Sequence, residues 1–507
     1  MFKVQSSILK VLSFLSLFLI VGACTLRPTS VPTSYTETTD SLAIFPDYRD
    51  IIIPPNIAPL NFIVQDASAD AFVAEIGKLV FGAKSDGKID IDTAQWHHLL
   101  SESVGKTIQV TVYARRVGGW VRYAPFTWTV ASEPIDTYLS YRLIEPGYEL
   151  YRQLGLYQRN LTNFEETPIY ENNRVFEANE NHCVNCHNYQ NYDTERMLFH
   201  VRASHGGTII TEGKEARKVA IRHDSILASG VYPSWHPTLP LVAFSTNNTG
   251  QVFHLQHPEK IEVLDLASDL LLYDASTNAV SHILRSRDAL ETFPCWSPDG
   301  LRLYYCVASA KESKVEESIP FVARYDSLLY DIYSLSFDPE SRRFGEPCLE
   351  VAASAEGLSA SVPRISPDGR YILYTLAHYG QFHIWHKGAD LWLKSLTESK
   401  GSLGHPLSSA NSPDADSYHT WSSNGRWIVF SSRRDDGDFT RPYIAYFDPD
   451  GHDHKAFLLP QRDPEQNWLL LKSYNVPELT RSAVRLSHEG FAHVVRHTEA
   501  TPARYLP

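Results

Sequence analysis

His182-Cys183-Val184-Asn185-Cys186-His187 is the stretch of this chain whose residue types and spacing point most directly to chemistry. Cys-x-x-Cys-His is the pattern of covalent haem c attachment. Two thiols one helical turn apart add to the two vinyl groups of the porphyrin, and the histidine that follows comes under the iron as its proximal ligand. Cys183 and Cys186 are read as tethers, His187 as the iron ligand, and haem c as the cofactor. Two other uses compete. A Cys183–Cys186 disulfide suits an oxidising compartment, but the histidine that follows and the lack of a βαβ pattern argue against a thioredoxin-type centre. A zinc site from His182, Cys183, Cys186 and His187 would normally take a second ligand pair far along the chain, and the sequence has no second Cys pair.

The other side of the iron has two candidates. Met197 lies ten residues after His187, and His200 follows it closely. If Met197 to Arg202 is a strand, Met197, Phe199 and Val201 share one face while Leu198, His200 and Arg202 share the other. The first face reads as core. The second pairs an imidazole with a cation suited to a haem propionate, so His200 is preferred over Met197 as distal ligand and Arg202 is assigned to the propionate. His205, beside Gly206-Gly207, reads as loop. An open sixth position is the third possibility, and it would turn an electron carrier into a catalyst.

The elements that must position these residues are strands. The chain has 507 residues, enough for two or three domains. Its 12% aromatic content, 30 Pro and 26 Gly favour many short strands over helical bundles. Residues 45–132 read as a small β-sandwich of immunoglobulin-like size, with Asp92 capping a short helix through Thr93-Ala-Gln-Trp-His-His-Leu-Leu. Residues 133–206 read as a tyrosine-rich connector that carries the haem motif. Beyond it a repeat emerges: Pro233-Ser-Trp235-His-Pro, Pro294-Cys-Trp296-Ser-Pro-Asp-Gly300, Pro363-Arg-Ile365-Ser-Pro-Asp-Gly369 and His419-Thr-Trp421-Ser-Ser-Asn-Gly425. Each turn is followed by a strand, such as Tyr371-Ile-Leu-Tyr-Thr or Trp427-Ile-Val-Phe-Ser. Asp bonds back to the chain in such a turn and Gly takes its positive φ. These units, 56 to 69 residues apart at their anchors (235, 296, 365, 421), are a β-propeller signature with loop insertions.

The Ser-Pro-Asp-Gly repeat resembles the TolB-like family of WD-repeat-like propellers, over about Gly207 to Tyr474. That resemblance implies six blades, of which four are clear, so flanking segments must supply the rest. The fold class is therefore all-β, a propeller over 207–480 with a tail at 481–507. At the N-terminus, Lys3, Lys10 and an apolar run from Val11 to Val21 make a secretion signal too short to span a bilayer. Val21-Gly22-Ala23-Cys24 resembles a bacterial lipobox, which implies a signal over 1–23, lipidation of Cys24 and a flexible Thr/Ser/Pro tether over 24–44. Thr25, where other lipoproteins carry an inner-membrane Asp, implies the outer membrane, with the protein facing the periplasm. The chain as a whole resembles bacterial TolB-like propeller lipoproteins with an embedded Cys-x-x-Cys-His.

Other functions are weakened by what the sequence lacks. A net charge of −13 with no long basic run opposes nucleic-acid binding. There is no Gly-x-Ser-x-Gly elbow and too little chain after the propeller for a hydrolase domain. Cys295, Cys306 and Cys348 read as small hydrophobes. Arg433 to Asp438 reads as a solvated hairpin loop in preference to a calcium site. Two functions remain. The first is an anchored monohaem c-type cytochrome whose propeller docks a protein partner, with a haem-dependent oxidoreductase as its enzymatic variant. The alternative is a haem-free scaffold that binds protein or glycan.

Overall fold

The structure is a computed structural model, and it describes residues 27–145, 153–173, 182–257, 259–310 and 325–507. The lipobox with Cys24 lies outside these residues. No helix among them is long and apolar enough to cross a membrane.

The N-terminal region folds as a seven-stranded sheet around Thr107–Arg116 and a three-stranded sheet centred on Phe62–Val64, sharing one core. Alternating apolar residues in Phe126–Val130 bury Phe126, Trp128 and Val130 in that core. The helix Thr93–Ser103 begins where expected. The Asp92 carboxylate accepts the Gln95 N–H at 2.9 Å, satisfying a donor that the first turn leaves free. Trp96 of this helix meets Trp128 edge to face at 5.6 Å. The region is fastened to the C-terminal part of the chain. The Tyr48 hydroxyl donates to the Leu458 carbonyl at 3.2 Å, Asn61 donates to the Arg462 carbonyl, and Lys88 pairs with Asp463 and Glu465.

Six further sheets of four or five strands make up the rest. Their innermost strands are His182–Gln190, Val231–Trp235, Ala289–Trp296, Ser359–Ile365, Asp416–Trp421 and Ser473–Thr480. Each touches the next, and the last returns to the first, so the sheets form a closed ring. This is a β-propeller. The turns behave as their residues require. Gly300, Gly369 and Gly425 all sit near φ 70°, and Asp299, Asp368 and Asn424 each accept the N–H two residues on.

The expected boundaries move. The segment 133–206, expected as a connector ahead of the propeller, is part of the ring. Tyr138–Ile144, Gly155–Asn160 and Glu166–Glu171 form three strands of one sheet, and Ser473–Thr480 closes that sheet antiparallel to Tyr138–Ile144. The Cys183–His187 motif opens the next sheet, so Gly207 falls inside a sheet and not at its edge. Many of the connector's tyrosines are core residues, with Tyr141 and Tyr170 fully buried. Nor is 481–507 a free tail. Its helix His488–His497 buries Phe491 and Val495 against the motif sheet. Thr501–Pro502 and Arg504–Tyr505 then add parallel strands to the outer edges of two neighbouring sheets. Cys295 and Cys306 are buried free thiols, as expected, whereas Cys348 is only half-buried.

A bulge recurs in every innermost strand. The residue in the left-handed region is Cys186, Tyr232, Phe293, Val362, Tyr418 or Val476, with φ between 48° and 54°. The pairing register shifts at each one. Such a φ is an outlier for Val and costs backbone strain, which the surrounding ladders sustain six times over.

Glu291, in the innermost strand Ala289–Trp296, is 4% exposed and its Oε2 has no hydrogen-bond partner. Burial, with the charge of Asp269 adding to it, pushes its carboxyl up to about 8. Below the ordinary carboxyl range both folded and unfolded chains hold this proton. As pH rises from there towards 8 only the unfolded chain releases it, so stability drains. Glu291→Gln is expected to raise stability at pH 8 by about 2–4 kcal/mol and by little at pH 4. Urea midpoints at the two pH values test this, and an equal gain at both would refute it.

Candidate functional site

The six innermost strands enclose a cavity of about 1170 Å³ at the hub of the ring. Cys183, Cys186, His187, His200 and Arg202 all line it. The motif reaches this position on a strand, not on the helical turn that its spacing suggested. In a regular strand, residues three apart face opposite ways. Here Asn185 pairs with His200 and Asn188 with Leu198, so the motif strand carries one extra residue at Cys186-His187. That bulge, with Cys186 at φ 54°, brings Cys186 and His187 to the same cavity as Cys183. Both thiols are free, and burial raises the pKa of Cys183.

His187 is 4% exposed, and its Nε2 has no partner in the protein. The ring hydrogen-bonds to the backbone of Val476 on the closing strand, and burial, with Arg142 adding, pulls its pKa to about 3. His200 repeats the pattern. Its Nδ1 lies 2.8 Å from the Thr208 hydroxyl, its Nε2 is buried without a partner, and burial, with Arg202 adding, holds it at about 3. An imidazole kept neutral, tied back by one hydrogen bond and with Nε2 free, has the form of a metal-ligating histidine.

The remaining expected residues divide. Met197 does not reach the cavity. It is fully buried in a core with Phe199, Val201 and Phe491, because it occupies the opposite face of its strand. His182 is turned away too, with Nε2 3.0 Å from the Tyr170 hydroxyl, so the four-residue zinc set does not assemble. Among the described residues no cluster of three metal-ligating side chains occurs. His205 stands in the left-handed region beside Gly206, in a turn. His200 is at the cavity, but on the same wall as His187. It pairs directly with Asn185, two positions from His187, on the neighbouring strand.

Of the arginines on the cavity the sequence reading found Arg202 and missed the rest. Arg142, Arg222, Arg364 and Arg433 line it too, and among the described lining residues the acidic side chains are Glu145 and Glu478, in a chain of net charge −13. Burial pushes Glu478 up to about 8 despite Arg364 nearby, so it is largely neutral at pH 7. Arg433, expected in a solvated loop, is 3% exposed. A signal for this layout was present. The bulge residue falls four positions before the turn serine, as in Phe293 and Ser297, Val362 and Ser366, Tyr418 and Ser422. Counting back from each turn therefore finds the hub.

No protein-family model matches this chain, and no curated protein matches it. Among solved structures, the propeller domain of the trilobed protease from Pyrococcus furiosus is similar over 82% of this chain and 97% of its own, at 10% identity and a TM-score of 0.31. Oligogalacturonate lyase from Vibrio parahaemolyticus is similar over 68% of this chain and 87% of its own, at 12% identity and a TM-score of 0.29. The tricorn protease is similar over 79% of this chain and 42% of its own, at 12% identity and a TM-score of 0.26. Similarities this distant bear on no activity.

Proposed function

We propose that this chain is a c-type haem protein of the bacterial cell envelope, anchored through Cys24, with haem c tethered in the hub of its propeller. The carrying observation is the meeting of Cys183, Cys186 and His187 in one cavity, with the His187 Nε2 buried and unpartnered. These residues suit the group. Cys183 and Cys186 supply the thioether sulfurs, and burial keeps His187 in the neutral form that ligates iron. The Val476 backbone orients the His187 ring. Arg202 and Arg142, on or beside the motif wall, offer guanidinium forks to propionates. Haem bound there supplies a one-electron iron couple tuned by its axial ligands and its burial. Beyond the motif wall the described lining residues include no His, Cys, Met or Lys, and burial holds the phenols of Tyr232 and Tyr418 in the protonated form that ligates iron poorly. We therefore favour a haem-dependent oxidoreductase, in which His187 would hold the iron and His200, on the same wall, would leave it open to an added ligand, over a two-ligand electron carrier.

The test is haem staining of the denatured protein, produced in a host with active cytochrome c maturation, beside Cys183→Ala/Cys186→Ala. Stain that survives denaturation in the wild type and is absent from the double variant is expected. A colourless wild type under these conditions would sink the reading and leave the haem-free binding scaffold.

A further inference from the structure

The hub wall opposite the motif has its own chemistry. Going round the ring, the sheet of Ser359–Ile365 is third from the motif sheet in either direction, so it stands across the cavity. It contributes Arg364, Phe382 and Trp385, and the adjoining sheet contributes Tyr418 and Arg433. The Arg433 guanidinium lies 3.4 Å from the centre of the Trp385 ring. Its Nη1 donates to the Gly437 carbonyl at 3.0 Å, while its Nε is buried without a partner. Asp414, Asp438 and Asp436 act on it only through their fields, and burial pulls its pKa to about 10. Asn475, also on the cavity, has a buried Oδ1 without a partner. A cation withdrawn from water without an ion pair is costly, and it persists where something else compensates it. The indole face supplies part of that compensation. The unused Nε points to the rest.

We infer that this wall is a carboxylate-binding site, in which Arg433 and Arg364 take the charge and Trp385, Phe382 and Tyr418 take an apolar or aromatic body. Planar guanidinium forks match carboxylate oxygens better than any other side chain does. The space is adequate, since about 1170 Å³ exceeds the roughly 300–1,000 Å³ usual for a single ligand. Carboxylates could come from two sources, a free small organic acid admitted to the hub or the propionates of the proposed haem. The site itself does not depend on the haem reading, because its residues lie on other sheets.

Benzoate is the probe, with binding read by calorimetry. Three full-length proteins are compared: haem-loaded wild type, haem-free Cys183→Ala/Cys186→Ala, and the latter carrying Arg433→Gln. Benzoate is expected to bind the haem-free protein and to bind at least tenfold more weakly once Arg433→Gln is added. Retained binding in the haem-loaded protein identifies a free acid as the ligand, whereas binding lost there identifies the propionates. Arg364→Gln provides a second reading should Arg433→Gln fail to fold, and it is expected to weaken benzoate in the same direction. No benzoate binding by the haem-free protein, or binding undiminished by both substitutions, would overturn the inference. Staining that fails while benzoate still binds would remove the haem reading and leave this one standing.

Discussion

A chain ending at Lys472 is expected not to fold cooperatively. Residues 473–507 supply the strand Ser473–Thr480, which completes one sheet by pairing with Tyr138–Ile144 and touches the innermost strands on both sides. Without it the ring is open, and Tyr138–Ile144 presents a bare edge. The deletion also removes Tyr474, Leu479, Phe491 and Val495, each no more than 1% exposed. At about 1.5–3 kcal/mol per buried side chain, these four alone account for about 6–12 kcal/mol. That is comparable with the entire stability of an ordinary domain, about 5–15 kcal/mol. Far-UV circular dichroism through a urea titration is the measurement. A sharp transition within about 1 M of the full-length midpoint would show that the ring stands without its closing strand.

Imidazole added to the haem-loaded wild type is expected to shift the cofactor's absorption band, and the same titration is expected to run within about threefold for His200→Ala and Met197→Leu. The expectation follows from where the three side chains stand. Met197 is in the core, so replacing it with Leu conserves volume and costs less than about 1.5 kcal/mol. His200 shares a wall with His187, and on the proposed reading it would leave the iron open to an added ligand. His187→Ala, by contrast, is expected to change the spectrum before any imidazole is added. If the wild type resisted imidazole and His200→Ala admitted it, His200 would be the second ligand and electron transfer the better reading.

Much of this architecture could be read from the chain. Two Ser-Pro-Asp-Gly turns and their two variants after Trp235 and Trp421, each followed by an aromatic or β-branched run, marked four sheets, because turn chemistry and strand periodicity are local properties. The other two sheets lack the turn. One is assembled from Tyr138–Glu171 and a strand more than 300 residues later, and no local pattern reports a pairing of that range. The alternation from Met197 to Arg202 placed Met197 and Phe199 in the core and His200 and Arg202 at the cavity, although Leu198 is core and Val201 touches both. Cys-x-x-Cys-His could be picked out by its residues but not by its geometry. Its spacing suggests a helical turn, and only the β-ladder to Asp193–Ala203 shows that a bulge brings Cys183, Cys186 and His187 to one cavity. Arg364 and Arg433 were unreadable as residues of one cavity because different sheets carry them, and their sharing it is a property of the ring.

The bulge has a consequence for how such a centre could arise and be moved. Cys186 occupies the position that Tyr232, Phe293, Val362, Tyr418 and Val476 occupy in the other five innermost strands. A tether at Cys186 would thus be written on a frame already present around the whole hub, with the kinked backbone supplied in advance and only side chains exchanged. A sheet carrying an ordinary hydrophobe there stands a few substitutions from presenting cysteine and histidine to the same cavity. The attachment point is in that sense portable. Rewriting Ser229 to Pro233, or Ser359 to Pro363, as the motif would put its second cysteine on the bulge of another sheet and, on the proposed reading, a prosthetic group on a different side of one unchanged scaffold.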